Sequence, residues 1–244
     1  MLSGGLSVTD DVSAGAWIAP RLRGDFGAVT LQVPSGYGAY ARICHPATNT
    51  RGEPVSWSEV ARDTGRTAHA LMQWHALVGS PDPLNFIGSL WQGEDPERGD
   101  LAPDALELLC ALLGEHTAEA AHCFFGLWSG WGWLHRQPAL SANELLKLPG
   151  RDYLLLCGPL SAAMQIGDAQ AVIGFEPKSP NLFWPADHAW CVASEIDFDS
   201  TLVGGTTELI RAILTAPGLD AWPVGPDDSL AYDADRVNEV TADR

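Results

Sequence analysis

Lysine is nearly missing from this chain. Lys147 and Lys178 stand alone among 14 basic residues, the other 12 being arginine. Two lysines leave few choices for Schiff-base chemistry or for a lysine phosphate clamp. Basic residues as a class are scarce beside 31 acidic ones, and a formal charge of -17 excludes broad contact with DNA or RNA phosphates, which demands clustered Lys and Arg. Long apolar runs are missing too: none approaches the roughly 18–20 residues of a membrane span, so no membrane partner is expected. The five cysteines form an odd, widely spaced set without a C-x-x-C pair, and residues 1–11 lack the charged start and apolar core of a secretory signal. Reduced thiols in a cytoplasmic protein are the expectation.

What is present is ordinary globular material of 244 residues, 46% apolar and 18% charged, with an unusual 10 tryptophans. With abundant Ala, Gly, Pro and Asp, the preference for Arg over Lys resembles the codon bias of a high-GC genome. Acidity concentrates toward the C-terminus, where residues 190–244 carry 11 acids and 3 bases. Such a face keeps a protein soluble and also suits a basic partner.

Alternation predicts strands at residues 28–33 and 40–44, joined as a hairpin or tight bend. Ser56 and Glu59 fit a capping box ahead of a short helix ending at Gly65. Leu71, Trp74 and Leu77 share one face of a second helix expected over 67–78. Residues 79–100, rich in Pro and Gly, read as a long connection and the place where a subdomain break would fall. Pro103 opens a third helix with Leu106, Leu109, Leu112 and Leu113 as its stripe. Strands are predicted at 123–128, 153–157 and 189–198, a short helix at 160–166, a helix at 206–215 and an edge strand at 219–224. Regular β-α-β alternation is absent. The fold class is therefore α+β, a mixed or antiparallel sheet with helices packed mainly on one face. One domain is expected over 17–235, between a flexible segment 1–16 and a polar tail 236–244.

Few strings spell chemistry. Gly36, Gly38 and Ala41 match a dinucleotide fingerprint formally, but a strand rather than a helix is predicted to follow, so no pyrophosphate cradle forms. Gly126-Leu127-Trp128-Ser129-Gly130 misses the nucleophile-elbow spacing. His116, Glu119 and His122 do not have the spacing that puts two imidazoles on one helix face. Cys44-His45, His122-Cys123 and His188 could meet only through the fold. Within ten residues lie Phe124, Phe125, Trp128, Trp131 and Trp133, interleaved with glycines. With Trp184 and Trp190 these tryptophans are candidates for a ligand or partner surface, because indole is enriched there; a strand-turn-strand corner filling the core is the other outcome.

The string Asp197-Phe198-Asp199-Ser200-Thr201-Leu202-Val203 resembles the first motif of the haloacid dehalogenase-like phosphatases. That resemblance implies Asp197 as nucleophile, Asp199 as general acid/base, and both on Mg²⁺. Glu195 interrupts the strand that should precede the motif, and no lysine follows it. On a continued strand, Glu195, Asp197 and Asp199 would share one face as a row of carboxylates, solvated or recruiting a divalent cation, with His188 as a further metal candidate. More broadly, residues 37–47 (YGAYARICHPA), 67–80 (TAHALMQWHALVGS) and 179–205 (SPNLFWPADHAWCVASEIDFDSTLVGG) are similar to a group of uncharacterised soluble proteins from high-GC actinobacteria. This resemblance implies a bacterial, cytosolic setting and supplies no catalytic residue.

Two readings follow. The first is a non-catalytic, acidic, Trp-rich binding protein, immunity- or regulator-like, with a protein or small-molecule partner and no cofactor. The second is a Mg²⁺-dependent hydrolase or phosphatase built on Glu195, Asp197 and Asp199.

Overall fold

Backbone hydrogen bonds left open by one strand must be met by another, and here most strands of the described residues join one antiparallel sheet. The computed structural model describes residues 4–86, 88–136, 144–170 and 174–240. Residues 1–3 and 241–244 of the expected tails, and residue 87 of the expected connection, lie outside them. In chain order the sheet draws on β1 (Ser7–Val8), β2 (Ala39–Cys44), β5 (Cys123–Trp128), β6 (Leu145–Leu148), β7 (Arg151–Gly158), β10 (Leu182–Pro185), β11 (Cys191–Ser194), β12 (Ser200–Gly205) and β13 (Ala221–Val224). Their order across the sheet is β1-β7-β5-β10-β11-β12-β2-β13, with β6 also on β7. Every pairing is antiparallel. Two small hairpins stand apart: β3 (Ala47–Thr48) with β4 (Pro54–Val55), and β8 (Gly167–Gln170) with β9 (Gly174–Pro177). The fold is α+β on a mostly antiparallel sheet.

Alternation splits the strands between two apolar layers. Ala41, Ile43, Phe125, Leu127, Phe183, Val192 and Val203 face α4 (Pro103–Gly114), α5 (Thr207–Thr215) and the 3₁₀ turn Leu160–Gln165. Tyr40, Leu155, Leu182, Trp184, Cys191 and Leu202 face Ile18, Val29, Val33 and Leu230. A smaller third cluster, beyond one end of β2, joins Cys44 to α2 (Trp57–Thr64) and α3 (Trp74–Leu77) through Trp57, Val60, Met72 and Trp74. Among the described residues, no helix is long and apolar enough to cross a membrane.

Local signals decide several elements. Ser56 Oγ accepts from the Glu59 amide while Glu59 accepts from the Ser56 amide, so the capping box is complete, and Gly65 ends α2 in the left-handed region at φ 72. Pro103 sits in the first turn of α4. The expected strand at 28–33 is instead one helical turn, α1 (Val29–Gln32): the Val33 amide bonds back to Val29, and the Val29 amide is taken by the Asp228 carbonyl. Of the helix expected over 67–78, only Trp74–Leu77 is helical. Upstream, the Ala70 and Met72 carbonyls accept from Arg42 and the Gln73 amide donates to Asp235, so the backbone there is tied to distant side chains instead of to its own next turn.

The terminal segments are anchored over part of their length. Ser7 and Val8 pair with Cys157 and Leu156. Asn238 is buried, with its side chain bonded to Thr67 and Asp235.

Candidate functional site

The expected strand 189–198 ends at Ser194, and the three carboxylates fall in the turn to β12. The Phe198 amide donates to the Glu195 carbonyl at 3.0 Å and closes that turn. Gly99, at φ 71, lies against it: its amide bonds the Phe198 carbonyl, and a Cβ there would sit 2.7 Å from the Ile196 Cα. The expected row on one strand face is therefore corrected. Arg151, at the start of β7, bridges Glu195 and Asp197 at 2.6 Å each, and its Nε also reaches Glu195 at 3.1 Å. Asp199 turns the other way, 3.6 Å from the Arg42 guanidinium. Exposure does not follow pairing distance: Asp197 is 56% exposed at its side chain, against 14% for Glu195 and 15% for Asp199.

This arrangement suits guanidinium rather than a hard cation. A divalent ion needs several oxygens converging within about 2.0–2.6 Å of one point, and two of these carboxylates already converge on Arg151. No group of three or more His, Cys, Asp and Glu among the described residues is disposed to hold a metal. Isothermal titration with Mg²⁺ is expected to give no saturable heat, in the wild type or in an Asp197→Asn, Asp199→Asn double variant. Saturable binding lost in that variant would restore cation chemistry to the turn.

His188 is not near these carboxylates. It precedes β11, and the turn carrying Glu195 follows it. His188 adopts a left-handed backbone at φ 55 and its ring stacks on Trp17 at 4.2 Å; burial, and then Arg21, hold its pKa below the ordinary value. The other metal candidates also stay apart. His122 bonds Glu119 at 3.1 Å on the surface. All five cysteines are free, and burial pushes the Cys110 and Cys123 thiols up to about 12, so neither is a ready nucleophile.

Thr201 of the phosphatase-like string lies in the core, between two partners. His45 Nδ1 faces the Glu97 carbonyl at 2.7 Å, so it carries the proton, and Nε2 must then accept from the Thr201 hydroxyl at 2.9 Å. Thr201 in turn accepts from Ser194 Oγ at 2.6 Å. These three side chains are at most 1% exposed, which gives a substrate no access to them. Burial is the main influence lowering the His45 pKa; the Glu97 carbonyl, Asp199 and Asp100 oppose it, and Arg42 adds to it. The unfolded chain then takes up the proton first as pH falls. Stability is complete above the ordinary histidine value of about 6.5 and declines below it. Denaturation midpoints followed from pH 8 to 5 are expected to fall, and a His45→Asn variant to show a lower start and a shallower fall. His75, also lowered mainly by burial, adds to the slope in both proteins.

The tryptophan candidates divide. Trp184 and Trp190 are fully buried and Trp133 nearly so, which removes them from any surface. Trp184 stacks on Phe124 at 5.7 Å, and Trp190 meets Phe183 edge-on at 5.7 Å while its Nε1 donates to the Leu113 carbonyl of α4. Trp128 and Trp131 are half-buried and meet edge-on at 5.6 Å. Asn181 Oδ1 accepts from the Trp128 amide and from Trp131 Nε1, and Arg151 lies 5.8 Å over the Trp128 ring.

Sequence reasoning missed the cavities around the 195–199 turn, among them one of about 540 Å³ against Asp95 and Asp199 and two that adjoin at Phe26 and Phe198. The smaller, about 120 Å³, lies over Tyr153, Leu182 and Ala193, with Gln32, Arg151 and Glu195 also in its wall. The larger, about 250 Å³, runs between the turn and α3, where Trp74, His75, Phe86, Arg98, Asp197 and Asp199 line it. Phe26 and Phe198, stacked at 5.3 Å, border both. Arg98 lies over the Phe86 ring at 5.8 Å. Three side chains on the wall of the larger cavity are conspicuously open to solvent: Phe26 at 59%, Leu84 at 71% and Tyr232 at 61%. They come from three separate stretches of chain, so no single local pattern announced them. Comparison of the chain with protein-family models, with curated proteins and with solved structures returned no match.

Proposed function

We propose that this chain is a non-catalytic binding protein whose recognition surface is the aromatic cleft beside the 195–199 turn. Its partner is a protein segment that inserts an apolar or aromatic side chain and carries basic neighbours. The observation that carries this reading is the convergence of Phe26, Leu84 and Tyr232 on one cavity. Single exposed apolar residues are normal on a protein surface, whereas a gathered set rimmed by polar groups marks an interaction site. A cavity of about 250 Å³ accommodates one large anchor side chain of the kind that dominates interface energetics. The chain's -17 charge steers a basic partner toward it and sets a salt-dependent association rate. The Mg²⁺ hydrolase reading has no comparable support, since Arg151 and Arg42 take the carboxylates it would use.

A fluorescein-labelled peptide alternating arginine and tryptophan provides the test, followed by anisotropy. Saturable binding is expected, weakening several-fold as salt rises from about 50 to 300 mM through screening. A Leu84→Ser, Tyr232→Ser variant, altered only at exposed positions, should lose at least tenfold in affinity with its thermal midpoint unchanged. Equal binding by that variant, or by a glutamate-tryptophan peptide, would overturn the reading.

A further inference from the structure

We propose that the smaller cavity is a separate ligand site for a small, uncharged, planar molecule bearing an amide edge. Gln32, the last residue of α1, lines this cavity, and both atoms of its side-chain amide are buried without a hydrogen-bond partner among the described residues. A buried polar group left unpaired is destabilising, and an amide leaves two: one donor and one acceptor. A ligand presenting a carbonyl beside an N–H matches both at once.

The other polar groups in the wall narrow the chemistry. Glu195 accepts both Arg151 bonds at Oε1, and no bond to Oε2 is made among the described residues. That oxygen is an acceptor for a further N–H. Burial, and next the Glu195 charge, push the Tyr153 phenol up, so it remains a neutral hydroxyl able to donate. Arg151 is already engaged by Glu195, Asp197 and the Gly150 carbonyl, so no cation is left to welcome an anionic ligand. A carboxylate would meet Glu195 instead. Leu31, Leu182 and the Phe198 ring supply apolar walls. At roughly 10–15 Å³ for each water-sized position, about 120 Å³ accommodates a ring compound of roughly eight to twelve non-hydrogen atoms. The site is independent of the partner cleft, although Phe26 and Phe198 border both.

Benzamide and cytosine are the probes, titrated calorimetrically into the full chain, with benzoate and toluene as controls. The expected result is saturable binding of at least one amide probe and none of benzoate. Gln32→Leu should weaken that binding at least tenfold while leaving the thermal midpoint of the free protein equal or higher, because an unpaired amide has been removed. A merely structural glutamine would give the opposite shift. Leu84→Ser, which lies outside the smaller cavity, should leave amide binding intact, so failure of one site is distinguishable from failure of the other. Absence of binding by both amide probes up to about 10 mM, toluene binding as well as benzamide, or indifference to Gln32→Leu would each overturn the proposal.

Discussion

Replacing Arg42 with methionine is expected to lower stability by about 3–5 kcal/mol, the range for breaking a buried charge network by removing one partner. Arg42 is 1% exposed and lies 5.0 Å over the Trp57 ring. Its Nε donates to Ser200 Oγ at 3.0 Å, and Nη1 donates to the Ala70 and Met72 carbonyls at 3.2 and 2.6 Å. Methionine fills much of the volume but leaves these acceptors unanswered and Asp199 without its guanidinium. In a chain of this size each kcal/mol moves the thermal midpoint by roughly 2–4 °C, so a fall of about 10 °C is expected in a calorimetric scan. Arg42→Lys should recover only part of it, because one ammonium cannot span the same acceptors. A fall of less than 2 °C for methionine would show that the segment before α3 is held by something else.

The second large effect is expected at Trp190. Its ring fills the layer between the sheet and the helices, and its Nε1 caps the Leu113 carbonyl at the end of α4. Trp190→Ala should cost about 3–5 kcal/mol through the cavity and the orphaned carbonyl. Trp131→Ala, on a half-buried ring, should cost clearly less by chemical denaturation. Equal losses would mean that the two tryptophans share one environment, against the division between core and edge described above.

That division bears on how much of the molecule could be read from its sequence. Capping chemistry is local, and Ser56, Glu59, Gly65 and Pro103 each marked an end that the structure keeps. Continuous apolar strands such as Cys123–Trp128 were equally legible. Periodicity misled wherever distant side chains claimed the backbone: Leu71, Trp74 and Leu77 fit a helix, yet Arg42 and Asp235 hold the residues before α3 open. Alternation likewise runs through Ser194 into the turn, although Asp197 and Asp199 are turn formers in their own right. Pro185 hid β10, since proline argues against a central strand; it is the last residue of β10, paired with Cys123. The site itself was half legible. The three carboxylates were singled out, but their arginine partners lie 44 or more positions away along the chain, and nothing in either stretch announced the pairing. Phe26, Leu84 and Tyr232 carry no signal in the sequence because only the fold brings them to one cavity.

The claim that the aromatic cleft is the recognition surface is tested most directly by hydrogen exchange with and without the arginine-tryptophan peptide. Protection on binding is expected in the segments around residues 84–86, 195–199 and 232, with the amides of β5 and β7 unchanged. Protection confined to the opposite end of the sheet, around His188 and Tyr37, or no protection at saturating peptide, would contradict the account.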